Sequence, residues 1–279
     1  DRLNIIKKKI NFYKIDITDY NSLENIFKKY KPEIVINLAA QAGVRYSLVN
    51  PQSYIKTNLV GFFNIINLSK TYNIKHFMYA SSSSIYGLNK KLPFSEKMTT
   101  DSVTSLYGAT KKSNELIAHS YAHIYGLPCT GLRFFTVYGP WGRPDMALFK
   151  FTKNILFEKK ITVFNKGLMS RDFTYIDDIV YYTYKLINKI PKKNKKMTPY
   201  QIFNLGNKNP IKLLKFIKII EKSLEKNAKI EFLNLQKTEI KNTSSDTKNL
   251  YKILKLKKYT PMQIGVRKFI KWFKEYYKF

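Results

Sequence analysis

Cysteine occurs once in the 279 residues, at Cys129, so no disulfide can form within the chain. A lone thiol reads as a protein of a reducing, cytoplasmic compartment. Long apolar runs are absent although hydrophobic residues make up 44%, and no stretch is expected to span a membrane as a helix. The first residues are charged and carry no continuous apolar segment, so no signal peptide is expected there. Acidic residues number only 19 against 50 lysines and arginines, a formal net charge of +31. Arginine is scarce too: six of those 50. A dedicated nucleic-acid surface concentrates its charge and uses arginine for bidentate contacts. Here 44 lysines are spread among Ile, Asn, Tyr and Phe along the whole chain, the pattern of compositional drift. No specific nucleic-acid partner is expected, although so positive a field attracts anionic substrates. The rival reading, a basic anion- or nucleic-acid-binding protein, predicts binding that falls steeply with salt.

What is present is an alternation of strands and helices, the mark of an α/β fold with a doubly wound parallel sheet. Strands are expected at Ile10–Ile15, Glu33–Leu38, His76–Ala80 and Cys129–Phe135. Helices are expected at Asn21–Tyr30, from Pro51 to about Tyr72, at Tyr107–Tyr125 with Gly126 as its stop, and at Met262–Tyr277. The lysine-rich segment 191–196 reads as a solvated loop. After Gly139 the rhythm changes, with Pro140, Gly142 and Pro144 in a loop. This places a first domain over 1–139 and a second over 140–279, with segments near 173–206 returning to the first. A dinucleotide-binding sheet opens with a strand, a glycine-rich turn and a helix whose N-terminus holds the pyrophosphate. No such unit precedes Ile10 and the first residue is not Met; the expectation is a chain that starts partway through the fold, without its first βαβ unit.

Tyr107 and Lys111 lie at i and i+4, on one face of the expected helix. An ammonium beside a phenol favours the phenolate, which is how a tyrosine becomes a general base. The spacing alone is weak, since about three Tyr-x-x-x-Lys pairs are expected by chance and four occur, starting at Tyr86, Tyr107, Tyr181 and Tyr251. Context separates Tyr107: it follows by some twenty residues a strand ending in the run Ser81-Ser82-Ser83-Ser84. Ligands collect at the carboxyl ends of parallel strands, where such hydroxyls can share a proton with a phenolate and a substrate alcohol. His119 and His123 also sit at i and i+4, a spacing compatible with zinc. No third ligand is near them in sequence, so no metal is expected.

The segments 37–47 (Asn-Leu-Ala-Ala-Gln-Ala-Gly-Val-Arg-Tyr-Ser), 79–87, 107–112, 132–145 and 171–178 (Arg-Asp-Phe-Thr-Tyr-Ile-Asp-Asp) resemble extended short-chain dehydrogenase/reductases of the NAD-dependent epimerase/dehydratase family. Within it they are most similar to UDP-glucuronate 4-epimerases. The resemblance runs from near Asp1 to the last helix and weakens after about Asn207. It implies a Rossmann-type domain and a small C-terminal substrate-binding α/β domain. It also implies NAD as cofactor, a UDP-sugar as substrate, and a homodimer formed through the helices after Pro51 and at Tyr107. Tyr107 matches the family's base and Lys111 its partner on the nicotinamide ribose, while Ser82 matches the Ser/Thr that bonds the sugar 4-hydroxyl. Asp16 and Ile17 match the adenine-contacting pair. Leu38, Ala39, Ala40, Asn58 and Phe134 match residues along the cofactor. Thr136 falls at a sugar-contacting position with Ser83 and Ser84 beside Ser82, and Arg143 and Arg171 match arginines of the nucleotide-diphosphate pocket. The family's glycine-rich phosphate loop has no counterpart in these 279 residues, and a third reading is therefore an inactive fragment, unable to hold NAD.

The reaction so implied is an oxidation at C4 that is undone from the other face of the sugar. Dehydratases of the superfamily carry Asp-Glu directly after the catalytic Ser/Thr, and UDP-glucuronate decarboxylases carry Glu two places after it. Here those places hold Ser83 and Ser84, which favours epimerisation. UDP-glucose/galactose epimerases usually have Asn where this chain has Thr136. A 4-keto glucuronate is a β-keto acid prone to lose carbon dioxide, and hydroxyls of Ser83, Ser84 and Thr136 can hold its carboxylate in an orientation unsuited to that loss.

Overall fold

The computed structural model describes residues 3–4, 6–193, 197–234, 240–255 and 259–279. Its first half runs α1 (Tyr20–Tyr30), β1 (Ile34–Asn37), α2 (Tyr46–Val49), α3 (Pro51–Tyr54), a π-helical stretch Ile55–Gly61, α4 (Phe62–Thr71), β2 (His76–Ser82), α5 (Leu106–Tyr125) and β3 (Cys129–Phe134). Then come β4 (Thr136–Tyr138), α6 (Ala147–Leu156), β5 (Ile161–Phe164), β6 (Ser170–Tyr175), α7 (Ile176–Ile187) and β7 (Tyr200–Leu205). The chain closes with β8 (Pro210–Lys212), α8 (Leu213–Leu224), β9 (Ile230–Leu233), α9 (Lys248–Leu254) and α10 (Met262–Tyr277).

Four strands form one parallel sheet in the order β1-β2-β3-β7. Its register sets Ser82 opposite Phe134, and Phe134 opposite Leu205, so the carboxyl ends of three strands lie level. Successive side chains of a strand point to opposite faces, and both faces here are apolar. Phe77 and Tyr79 of β2 pack with Phe62, Ile65, Ala118 and Ala122 of α4 and α5. Met78 and Leu132 pack instead with Ile179, Tyr182 and Leu186 of α7. Each such fully buried side chain contributes about 1.5–3 kcal/mol, and helices on both faces are what a doubly wound sheet requires. A second core joins α6, α8 and α10 to β4, β5 and β6. It is built around two small sheets, β4-β6-β8 and β5-β9.

Several expected elements shift. Ile10–Ile15 is not a strand: no described strand ladders with it. Its apolar pattern is that of a strand, but pairing with a neighbour is what makes one. The helix from Pro51 runs to Thr71 and is interrupted by the π-helical stretch. At its end Gly61 sits where a Cβ would drive into the side chain of Ile17, so the helix can approach the 16–18 turn only without a side chain. The helix carrying Tyr107 begins at Leu106, capped by Ser105, whose Oγ accepts from Gly108 N at 3.0 Å. It stops at Gly126 in the left-handed conformation, φ +68°. Of the segment 191–196, Lys192 and Lys193 are exposed and 194–196 lie outside the described residues.

Candidate active site

A cavity of about 920 Å³ opens at the carboxyl ends of β1, β2 and β3, where ligands bind in open α/β sheets. That volume is near the upper end for small-molecule sites. Leu38, Ala40, Ser82, Ser83, Ser84, Tyr107, Lys111, Phe134, Thr136, Arg143 and Arg171 all line it, so eleven side chains singled out in the sequence converge. Among the described residues, the lining holds three cations and no carboxylate, a fit for a diphosphate.

Helix α5 is fastened to the end of β2 by successive turns. Lys111 Nζ donates to Ala80 O at 2.9 Å, which leaves two of its three donors for a ligand. Lys111 is buried, and burial lowers its pKa to about 8. The Ser82 hydroxyl near Tyr107 lowers the phenol's pKa, as does the Arg143 guanidinium. Burial outweighs both and holds it above its ordinary value. The expectation that Lys111 pulls the phenol down is therefore corrected. The ammonium is turned to the Ala80 carbonyl, and the cation acting on Tyr107 is Arg143. Ser82 Oγ also accepts from Ser84 N at 3.1 Å and meets Ser84 Oγ at 3.2 Å, so the serine run is a tight hydroxyl cluster.

Gly43, at φ +113°, brings the 39–45 loop against this site. A Cβ there would lie 3.2 Å from Arg143 Nη2. Tyr54 Oη holds the loop through Gly43 O at 2.7 Å, and the Tyr54 ring meets that of Tyr107 edge-on at 6.2 Å. Arg143 is gripped by Asp145: Nε donates to Oδ1 at 2.9 Å, and Nη2 to Oδ2. Any incoming anion competes with that carboxylate. Arg171 donates to Lys241 O at 2.8 Å and Ser170 O at 3.1 Å. Beside it Asp172 is fully buried and accepts from the backbone N–H groups of Asn207, Lys208 and Ser245 and from Ser245 Oγ, at 2.6–3.1 Å. It ties β6 to the turn after β7.

Four matched residues do not line the cavity. Asp16 is exposed and caps its own turn, accepting from Thr18 N and Oγ1, both at 2.9 Å. Ile17 packs at Gly61, its carbonyl accepting from Asn64 Nδ2 at 3.1 Å. Ala39 is exposed, its N–H donating to Asn37 Oδ1 at 3.1 Å. Asn58 is buried in the π-helical stretch, pairing both ways with the Gln41 backbone at 2.8 and 3.0 Å and donating to Thr110 Oγ1 at 3.0 Å. It shapes the loop that forms the cavity wall.

Sequence reasoning missed Glu115 and Arg133, buried directly behind the cavity. A signal was available, since Glu115 continues the i, i+4 series 107, 111, 115 on one helix stripe. His119 instead packs its ring on Tyr200 at 5.0 Å, and His123 Nδ1 meets Thr198 Oγ1 at 2.9 Å. No group of three or more metal-ligating side chains occurs among the described residues, and no described helix is long and apolar enough to cross a membrane.

The model of the NAD dependent epimerase/dehydratase family matches residues 1–206. Protein CapI of Staphylococcus aureus is 48% identical over 290 residues, covering 100% of this chain and 87% of that protein. The probable UDP-glucuronate 4-epimerase of Rhizobium meliloti is 42% identical, covering 94% of this chain and 80% of its own length. Among solved structures, the UDP-glucuronic acid 4-epimerase of Bacillus cereus, in complex with UDP-glucuronic acid and NAD, superposes with a TM-score of 0.88 at 31% identity. That match covers 98% of this chain and 86% of that one.

Proposed function

The chain belongs to the NAD-dependent epimerase/dehydratase family, and within it to the UDP-sugar 4-epimerases; from that membership we propose that it interconverts UDP-glucuronate and UDP-galacturonate. One observation carries the choice of sugar: the positions after Ser82 are hydroxyls, Ser83 and Ser84, facing the same cavity as Thr136. A carboxylate acid/base needed for elimination is missing there, and hydroxyl donors suited to a sugar carboxylate take its place.

The residues present fit the nicotinamide-ribose end of NAD; the glycine-rich turn that holds the pyrophosphate in the family is not among these 279 residues. Lys111 has two donors free for a ribose diol, and the small residues Ala40, Ala42 and Gly43 line the same cavity as Phe134. Held at its ribose by Lys111, NAD would supply the hydride acceptor and donor for C4 and a positive charge that would favour a phenolate nearby. Tyr107 takes the proton of the 4-hydroxyl and gives it back. Ser82 bonds that oxygen and passes its hydrogen bond to Tyr107. Lys111, anchored on Ala80 O, fixes the ribose. Arg143 and Arg171 hold the diphosphate, Arg143 after exchanging its hold on Asp145. Ser83, Ser84 and Thr136 orient the sugar carboxylate away from the alignment in which the 4-ketone would expel carbon dioxide. We assign cofactor binding to 1–139 together with α7 and β7, and sugar binding mainly to the rest of 140–279.

We further propose that the enzyme acts as a homodimer in the cytoplasm. Leu48, Val49, Val60, Phe63, Leu116 and Ile124 are exposed on α2, the π-helical stretch, α4 and α5, an apolar face of the kind that marks an interface. A molar mass from light scattering equal to one chain would count against this.

The functional test is incubation with UDP-glucuronate and NAD, with products separated by anion exchange. UDP-galacturonate is the expected product. A UDP-pentose with release of carbon dioxide would instead assign the decarboxylase reading, and conversion of UDP-glucose alone the glucose/galactose one.

A further inference from the structure

A buried polar chain, joined to the cavity lining through Ser81, runs through side chains that do not line the cavity, Glu115, Arg133, Tyr86 and Asn204. Glu115 and Arg133 form a two-pronged ion pair, Nε to Oε1 at 2.9 Å and Nη2 to Oε2 at 2.8 Å, with both side chains 5% exposed. Removing two charges from water costs several kcal/mol per ion, so a pair placed here needs a reason beyond stability. Its contacts supply one. Glu115 Oε1 also accepts from Ser81 Oγ at 2.6 Å, and Ser81 is the residue before Ser82. Arg133 Nη1 donates to Tyr86 Oη at 3.0 Å, and Tyr86 Oη donates to Asn204 Oδ1 at 2.6 Å. Tyr86 closes the 3₁₀ turn Ser83–Tyr86 that follows Ser82. The backbone on both sides of Ser82 is therefore pinned to one carboxylate–guanidinium unit, which joins α5, β2, β3 and β7.

We propose that Glu115 and Arg133 are positioning residues: through Ser81 on one side and Tyr86 on the other they fix where Ser82 Oγ stands in the cavity that it lines together with Tyr107. This rests on Tyr107 and Ser82 being the proton-transfer pair of the proposed reaction. Helix α5 then reads as one device over three turns. Tyr107 does chemistry, Lys111 ties the helix to Ala80 O, and Glu115 sets the strand residue that Tyr107 must meet. Placement errors of an ångström are costly in such a pair, and a charge-assisted bond holds a hydroxyl more firmly than a neutral one.

The test reads Tyr107 directly and needs no turnover. A 3-fluorotyrosine is placed at position 107 of the full chain, and its ionisation is followed by fluorine NMR in Ser81→Ala, in Glu115→Gln and in the double variant Glu115→Leu/Arg133→Met. The groups facing the phenol are Ser82 from β2, Arg143 from the loop after β4, Tyr54 from α3, and Lys111 one turn along its own helix; none is altered. If the pair positions Ser82, breaking the pair or its link to Ser81 weakens the influence of the Ser82 hydroxyl on the phenol, and the midpoint rises by about half a unit or more in all three variants. Deleting a negative charge without moving Ser82 would lower the midpoint in Glu115→Gln, the opposite sign. A midpoint unmoved in Ser81→Ala and in the double variant, whose apolar pair is expected to restore folding, would overturn the proposal and leave the ion pair merely structural. Turnover separates this from the functional reading. Tyr107→Phe that epimerises like the parent would sink that reading, whatever the midpoints do.

Discussion

Lys111 gives the sharpest quantitative consequence of the site. Its ammonium is buried and donates one hydrogen bond, to Ala80 O at 2.9 Å, and burial lowers its pKa from 10.5 to about 8. One pKa unit corresponds to about 1.36 kcal/mol, so keeping this lysine charged in the folded chain costs on the order of 3 kcal/mol at pH 7. Between about pH 8 and 10.5 the unfolded chain holds a proton that the folded chain has released. Stability therefore rises with pH across that window, and below pH 8 the cost is present in full. Lys111→Met removes the charge and keeps the length. It also loses the bond to Ala80 O, worth about 1.5–3 kcal/mol for a charged donor. The net expectation at pH 7 is a gain of about 1 kcal/mol, or roughly 2–4 °C in Tm, with epimerisation abolished. Urea unfolding of parent and variant from pH 7 to 10.5 measures it. The difference between the two curves cancels the many exposed lysines and tyrosines, and it should shrink and reverse as pH rises. A variant less stable than the parent at pH 7, with a gap that does not vary with pH, would refute the burial argument.

Other outcomes follow from the same geometry. Tyr107→Phe should lower kcat about 10²- to 10⁴-fold with little change in UDP-sugar affinity, as titration calorimetry would show. Thr136→Val should raise the proportion of UDP-pentose released from UDP-glucuronate several-fold; no increase would remove Thr136 from the carboxylate-holding role. Asp145→Asn frees Arg143 from its bidentate partner, and because both side chains are partly exposed the gain is modest, a KM lower by up to about fivefold. Asp172→Ala strands three backbone N–H donors and a serine hydroxyl in the interior and should cost at least about 3 kcal/mol in denaturant unfolding.

Much of the site was legible because it depends on local order along the chain. Strand ends, a helix start and an i, i+4 pair are all sequence-near, and Ser82, Tyr107 and Lys111 meet as the alternation of strands and helices implies. What was not legible depends on partners distant in sequence. Ile10–Ile15 has a strand's composition, but the ladder that would make it one involves no described strand. The π-helical turn at Ile55–Gly61 leaves no compositional trace, yet it lets Asn58 reach Gln41 and Thr110. The direction of the Tyr107 pKa was misread because spacing places Lys111 on the right face but does not say where its ammonium points. Glu115 and Arg133 lie 18 residues apart on different elements, and only folding brings them together.

The most direct test uses UDP-glucuronate deuterated at C4, with the purified chain and NAD in ordinary water. If Tyr107 moves a proton at the 4-oxygen while the C4 hydrogen leaves and returns on one cofactor, the UDP-galacturonate formed retains deuterium at C4. UDP-galacturonate that carries solvent hydrogen at C4, or no UDP-galacturonate at all, would contradict the account.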